Sequence, residues 1–287
     1  MSNKDTFLKK KITLNCKGKI LDLSIPKVMG ILNVTPNSFF DGGKYTKKDE
    51  IKNQIEKMIN EDVDIIDVGA ISSKPNAKIS DESEELKKLI PALEILNKYH
   101  SETLVSVDTY HSGIAKKAVN EFGVCMINDI SAGNLDNKMF ATIAKLNIPY
   151  IIMHMQGTPE TMQNNPRYDD IINALITFFT DKIAQLKQFG INDVIIDPGF
   201  GFGKTVSHNY EMLRKLQTLK LFELPLLTGM SRKSMINRVL DCNPENSLNG
   251  TTVVNTMALM NGANILRVHD VKEAVETVKI FVNLNSK

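Results

Sequence analysis

One pattern repeats along this 287-residue chain: a short run of apolar residues, a polar or ionisable residue at its end, and then a stretch with helical spacing. The runs are Lys27–Asn33, Asp64–Gly69, Leu104–Asp108, Cys125–Ile130, Pro149–His154, Asp193–Ile196, Leu224–Met230 and Asn264–Val268. Apolar runs without alternation suit strands covered on both faces, as in parallel sheets. Between them lie helix signals. Ile51, Ile55, Met58 and Ile59 share one face, and Ser80 reads as an N-cap before Asp81 and Glu82 with Leu86, Leu89, Ile90 and Leu93 inward. Further helices are read from Ser112, over Lys138–Leu146, over Asp169–Phe189 and over Val271–Val282. Eight such units in a chain of this length predict a single-domain (β/α)8 barrel, residues 1–287. A doubly wound open sheet is the alternative, but no dinucleotide fingerprint accompanies the repeats. Ahead of them, Ile12–Asn15 and Lys19–Leu23 flank Cys16-Lys17-Gly18 as a β-hairpin, which would cover the N-terminal end of the barrel.

The sixth unit carries the densest signal, Asp197-Pro198-Gly199-Phe200-Gly201-Phe202-Gly203-Lys204. A buried strand delivers a carboxylate at its tip, three glycines keep the backbone open, and two aromatics stand between them. Taken alone, this is as consistent with a turn whose phenylalanines plug the core as with a ligand loop. The other strand tips tilt the balance: Asn33, Asp67, Asp108, Asn128, His154, the Ser231-Arg232-Lys233-Ser234 run, and Arg267 with His269. Any one of these is an ordinary cap or ion-pair partner. A purely structural barrel has no reason to place a polar group at every tip, and barrel enzymes work at that end. Asp108, Asn128 and Asp197 offer acceptors and an amide donor suited to a flat heterocycle such as a 2-amino-4-oxopyrimidine. Arg267, His269 and Lys233 suit phosphate or pyrophosphate. Asn33 is a hard oxygen donor able to help hold Mg²⁺ on a pyrophosphate.

Composition narrows the class. The chain is 42% hydrophobic and 24% charged with a net charge of +2, so nothing argues for nucleic-acid binding. Three well-separated cysteines suggest neither a disulfide framework nor a zinc site. The polar, lysine-rich Met1–Lys11 stretch lacks the apolar core of a signal peptide, and no run is long enough for a membrane helix. We expect a soluble cytoplasmic protein.

Several blocks also resemble the dihydropteroate synthases. They are Met29–Phe39, Ser106–Thr109, Ile127–Asp129, Met153–Gly157, the glycine-loop octapeptide, Gly229–Ser234 and Arg267–Asp270, in the family's order. The resemblance spans about residues 12 to 282. It implies a (β/α)8 fold, usually a homodimer, and a transferase of folate biosynthesis. Its reaction would condense 6-hydroxymethyl-7,8-dihydropterin diphosphate with 4-aminobenzoate, releasing pyrophosphate. Position by position, it places Asp108, Asn128 and Asp197 in the pterin pocket with Lys233 beside them. It puts Arg267 and His269 on the diphosphate and Asn33 on Mg²⁺, and has Phe202, Ser234 and Phe39 shape the aminobenzoate pocket. Asp108, Asp197, Lys233, Arg267 and His269 are the catalytic set it suggests.

One block departs from the family. Ile71-Ser72-Ser73-Lys74-Pro75-Asn76 stands where Glu-Ser-Thr-Arg-Pro-Gly is usual. Ser73 keeps the hydroxyl expected to contact substrate, whereas Lys74 loses the planar fork of arginine. Two rivals remain at this stage: a methyltransferase acting on methyl-tetrahydrofolate, and a non-catalytic pterin-binding protein. Neither needs both a pyrophosphate clamp and Asn33.

Overall fold

The computed structural model describes residues 12–34, 47–70 and 81–286. The expected N-cap Ser80, and the site residues Phe39 and Ser73 with their loops, lie outside the described residues.

Strands β1 (Thr13–Cys16) and β2 (Lys19–Asp22) pair antiparallel as the hairpin. The turn uses Lys17 and Gly18 at positive φ, with the Gly18 amide donating to the Asn15 side chain at 2.7 Å. Eight parallel strands follow: β3 (Lys27–Asn33), β4 (Ile65–Gly69), β5 (Leu104–Asp108), β6 (Met126–Asp129), β7 (Tyr150–Met153), β8 (Val194–Asp197), β9 (Leu227–Thr228) and β10 (Ile265–Val268). Their order is β8-β7-β6-β5-β4-β3-β10-β9. A parallel bridge between Ile196 and Leu226 joins the two ends, and the Ile196 amide donates to the Pro225 carbonyl at 3.0 Å. The sheet is thus the expected barrel, nearly closed.

Strand β9 is far shorter than the Leu224–Met230 run predicts. Pro225 has no N–H to give to a ladder, so regular pairing begins only beyond it. The helices are α1 (Lys47–Asn60), α2 (Glu82–Tyr99), α3 (Ser112–Phe122), α4 (Met139–Leu146), α5 (Ile171–Gln188), α6 (Val206–Arg214), α7 (Ser234–Leu240), α8 (Leu248–Met260) and α9 (Val271–Asn285). The cap of α2 is Asp81, whose carboxylate accepts from the Ser83 and Glu84 amides. Among the described residues no helix is long and apolar enough to cross a membrane.

Two large apolar clusters make up most of the interior among the described residues. The larger lies between sheet and helices and includes Val28, Ile66, Val68, Ile127, Ile152, Ile196 and Leu266. The smaller fills the inside of the barrel at its N-terminal end, where Leu14, Cys16, Leu21 and Leu23 of the hairpin pack on Met29, Ile65, Met126, Ile151, Ile195, Leu227 and Ile265. The hairpin plugs that end, as expected, and the three cysteines are free thiols. The two clusters also reveal the parity of each strand. Since Ile65, Met126, Ile195 and Ile265 point inward, so do Asp67, Asn128, Asp197 and Arg267, each two residues nearer the C-terminal mouth.

If the plug is integral to the barrel, Leu23→Ala should destabilise the fold by about 2–5 kcal/mol, the usual cost of emptying a fully buried leucine site. Pterin affinity of the folded variant should be unchanged, because the hairpin lies at the far end. Chemical denaturation and calorimetry read the two effects; a loss under about 1 kcal/mol would show the hairpin to be an appendage.

Candidate active site

At the mouth the inward layer is no longer apolar. Asp67 on β4 is fully buried, and its Oδ2 accepts from Arg267 Nε on β10 at 2.7 Å and from Asn128 Nδ2 on β6 at 3.0 Å. Arg267 Nη2 donates to Asp108 Oδ2 on β5 at 2.8 Å. One guanidinium therefore bridges two carboxylates, and Asp67 also fixes the carboxamide of Asn128. Asp67 Oδ1 has no hydrogen-bond partner among the described residues. Burial pushes the Asp108 carboxyl up to about 7 even though Arg267 pulls it down, with Asp67 adding repulsion. Burial likewise raises Asp197, against the pull of Lys233. Asp108 Oδ2 and Asn33 Oδ1 flank Gly69, each 3.6 Å from where a Cβ on that glycine would stand. Asn33 thus joins the same rim of the mouth.

Opposite this network runs the glycine loop. Gly199, Gly201 and Gly203 all have positive φ, at 72°, 83° and 61°. The Gly199 amide donates to Asp197 Oδ1 at 2.7 Å, and the Gly201 amide to Asn209 Oδ1 at 2.7 Å. Four successive carbonyls are held from the side: Phe200 by Lys233 Nζ, Gly201 by Gln163 at 2.6 Å, Phe202 by Lys204 at 2.9 Å, and Gly203 by the Tyr168 hydroxyl at 2.9 Å. The two phenylalanines of the loop part company. Phe200 is fully buried in the core between sheet and helices. Phe202 belongs to a small cluster at the mouth with Tyr110, Ile130, Met153 and Met162, and Lys233 Nζ lies 4.5 Å from its ring centre.

The third side is made by the ends of β9 and β10. Arg232, at φ 58°, grips Asp270 through two hydrogen bonds of 3.1 and 2.5 Å, clamping the two loops together. Ser231 Oγ lies 3.1 Å from His269 Nδ1 and accepts from the His269 amide at 3.2 Å. Desolvation and the cations Arg267 and Arg232 lower the His269 pKa to about 4, so the imidazole is neutral near pH 7. Burial lowers Lys233 to about 8, opposed by Asp197. Ser234 is exposed at the first turn of α7.

Comparison with known proteins shows the family. A family model described as pterin binding enzyme matches residues 29–269. The dihydropteroate synthase of Escherichia coli K12 is 43% identical over 269 residues, covering 93% of this chain and 94% of that protein. That of Haemophilus influenzae is 40% identical over 271 residues, covering 93% and 97%. The chain belongs to the dihydropteroate synthases. A structure of the Yersinia pestis dihydropteroate synthase with a sulfonamide drug complex matches at a TM-score of 0.90 and 40% identity, over 96% of this chain and 100% of the other. The Xanthomonas albilineans dihydropteroate synthase with 4-aminobenzoic acid also reaches 0.90, at 34% identity over 96% and 99%.

As a dihydropteroate synthase the chain is a transferase of folate biosynthesis, and most of the residues singled out in the sequence meet at one end of the barrel. Asn33, Asp108, Asn128, Asp197, Phe202, Lys233, Arg267 and His269 all reach the mouth. Phe39 and Ser73 fall outside the described residues. The sequence noted Asp67 at a strand tip but gave it no part in the site, and Gln163, Tyr168 and Asn209 drew no notice. Inward parity alone could have flagged Asp67.

Gly199 is the tightest point of this dihydropteroate synthase loop, since a Cβ there would stand 2.1 Å from the His154 carbonyl oxygen. Gly199→Ala should cost about 1–3 kcal/mol in backbone strain alone and displace the loop, so kcat should fall with stability. Denaturation and steady-state kinetics together check this; a variant with wild-type values for both would show the loop to be loosely placed.

Proposed function

We propose that the pterin of 6-hydroxymethyl-7,8-dihydropterin diphosphate lies in the mouth between Asp108, Asn128, Asp197 and Lys233, with Arg267 and His269 on its diphosphate. The observation that carries this reading is the bridging of Asp67 and Asp108 by Arg267, which brings cation and carboxylates to one point. The carboxylates accept ring and amino N–H groups. Arg267 and His269 face a charge that offsets the cations around the imidazole and raises its pKa toward the protonated, donating form. Phe202, Ser234, Phe39 and Ser73 shape the place for 4-aminobenzoate, the molecule bound in the Xanthomonas relative.

The chemistry is substitution at the exocyclic methylene. The carbon–oxygen bond breaks and its electron pair leaves with the diphosphate. The positive charge left on carbon is spread over the pterin ring, whose N–H groups rest on Asp108 and Asp197. The aminobenzoate nitrogen then bonds to that carbon and sheds a proton. Residues Thr35–Gly43 and Ser72–Lys78 are assigned the task of excluding water, which would otherwise capture the cation.

Mg²⁺ fits this site. Among the described residues no three His, Cys, Asp or Glu side chains converge to cage a metal. The neutral oxygen of Asn33 therefore suits an ion that takes most of its remaining ligands from phosphate and water. When bound, the ion neutralises charge on the leaving diphosphate.

A homodimer in the cytoplasm completes the reading. Val239, Leu240, Val253, Met257 and Met260 form exposed apolar surface on α7 and α8, which supports self-association, whereas Val254 is core.

Purified protein should release pyrophosphate only with both substrates and Mg²⁺ present. Equal release without 4-aminobenzoate would replace this reading with a hydrolase.

The Asp108 carboxyl, raised to about 7 by burial, accepts a ring N–H far more strongly when ionised than when neutral. Binding favours the ionised form, so affinity for a bare pterin is full above pH 7 and declines as pH falls below it. The decline should approach about tenfold per pH unit by calorimetry and be abolished in Asp108→Asn. A flat profile in the wild type would show that Asp108 is not the acceptor.

A further inference from the structure

Lys204 is a buried amine that the reaction above does not use. It closes the glycine loop, is 4% exposed, and has no carboxylate within hydrogen-bonding distance among the described residues. Its Nζ instead meets three groups on two segments: the Phe202 carbonyl at 2.9 Å, the His154 carbonyl at 3.2 Å and His154 Nδ1 at 3.0 Å. His154 directly follows β7, whereas Phe202 lies in the loop after β8. The amine therefore ties the loop to the neighbouring strand. Gly199 and Gly203 let the loop lie directly on that segment, because a Cβ on either would press on the backbone of His154 or Gln156.

We propose that Lys204 is a positioning residue for the second substrate, fixing the Phe202 carbonyl so that the Phe202 ring stands at the correct height in the aminobenzoate pocket. This rests on the reading that Phe202 lines that pocket. The Phe202 amide donates to the Gly199 carbonyl at 3.1 Å, and its ring packs with Tyr110, Ile130, Met153 and Met162 beside Lys233. Its carbonyl has Lys204 as its one side-chain donor among the described residues, so that amine sets how the residue is anchored toward the neighbouring strand.

Burial lowers the Lys204 pKa to about 7, with Asp197 pulling it back up and Lys233 pushing it down. Burial holds His154 neutral. The tie survives either charge state of the lysine. A protonated amine donates to both carbonyls and to Nδ1. A neutral amine donates to both carbonyls and accepts from Nδ1–H of the other imidazole tautomer. The contribution is thus placement of the loop rather than charge, and it acts on the pocket that Phe202 lines rather than on the pterin.

The test is steady-state kinetics on Lys204→Met, which keeps the apolar stem and removes the amine. The KM for 4-aminobenzoate should rise about tenfold or more, while the dissociation constant for a bare pterin stays within about threefold. Lys204→Gln keeps one N–H for the Phe202 carbonyl and should give an intermediate KM; it carries the test if the methionine variant does not fold. An unchanged KM for 4-aminobenzoate, or equal losses for both ligands, would overturn the proposal. Phe202→Ala separates the layers. If it raises the aminobenzoate KM and the lysine variants do not, only the role of Lys204 falls. If it leaves that KM untouched, the pocket assignment falls and the role of Lys204 with it.

Discussion

A carboxylate with no access to water holds the mouth of this barrel together. Asp67 takes Arg267 and Asn128 on one oxygen, and Arg267 reaches on to Asp108. Burying such charges is costly unless they are paired and hydrogen-bonded. The network meets that condition by drawing on strands β4, β5, β6 and β10, so it forms only when the sheet from β6 to β10 has assembled and curled. Removing one partner would leave an uncompensated charge inside, typically a loss of about 3–5 kcal/mol. Stability and the shape of the mouth are therefore bound to the same side chains.

The glycine loop meets the same network from the other side. Asp197 accepts from the loop's first amide, and Lys233 reaches across to the Phe200 carbonyl while covering the Phe202 ring. Positive φ at three glycines would leave a floppy segment elsewhere. Here four carbonyls in a row are gripped by side chains from three different parts of the chain, which turns the loop into a rigid wall. Its freedom is used for close approach to β7 rather than for motion.

Much of this was legible in the sequence. Lys27–Asn33 and Leu104–Asp108 matched the observed strands residue for residue, and the plugging hairpin followed from alternation around Gly18. The polar tips were readable because a parallel strand hides one stripe in the barrel, so a carboxylate two residues past an inward isoleucine has only the mouth to face. What stayed hidden depends on three-dimensional pairing. Asp67 and Arg267 are 200 residues apart, and no spacing rule connects them. The shortness of β9 follows from where Pro225 meets its neighbour, and the grip of Gln163 and Tyr168 on the loop comes from a polar stretch with no periodicity. Lys204 looked like the end of a motif; its partners lie on another strand.

The proposed function requires Asp67 and Arg267 to act as one unit in binding the diphosphate substrate. A double-mutant cycle measures that directly: pterin diphosphate affinity by calorimetry for the wild type, Asp67→Asn, Arg267→Met and the double variant. The account predicts strong non-additivity, with the double variant losing little more than either single one and a coupling of at least about 1–3 kcal/mol. Losses that add within about 0.5 kcal/mol would show two independent contacts, and the ion pair would then be scaffolding rather than the organiser of the site.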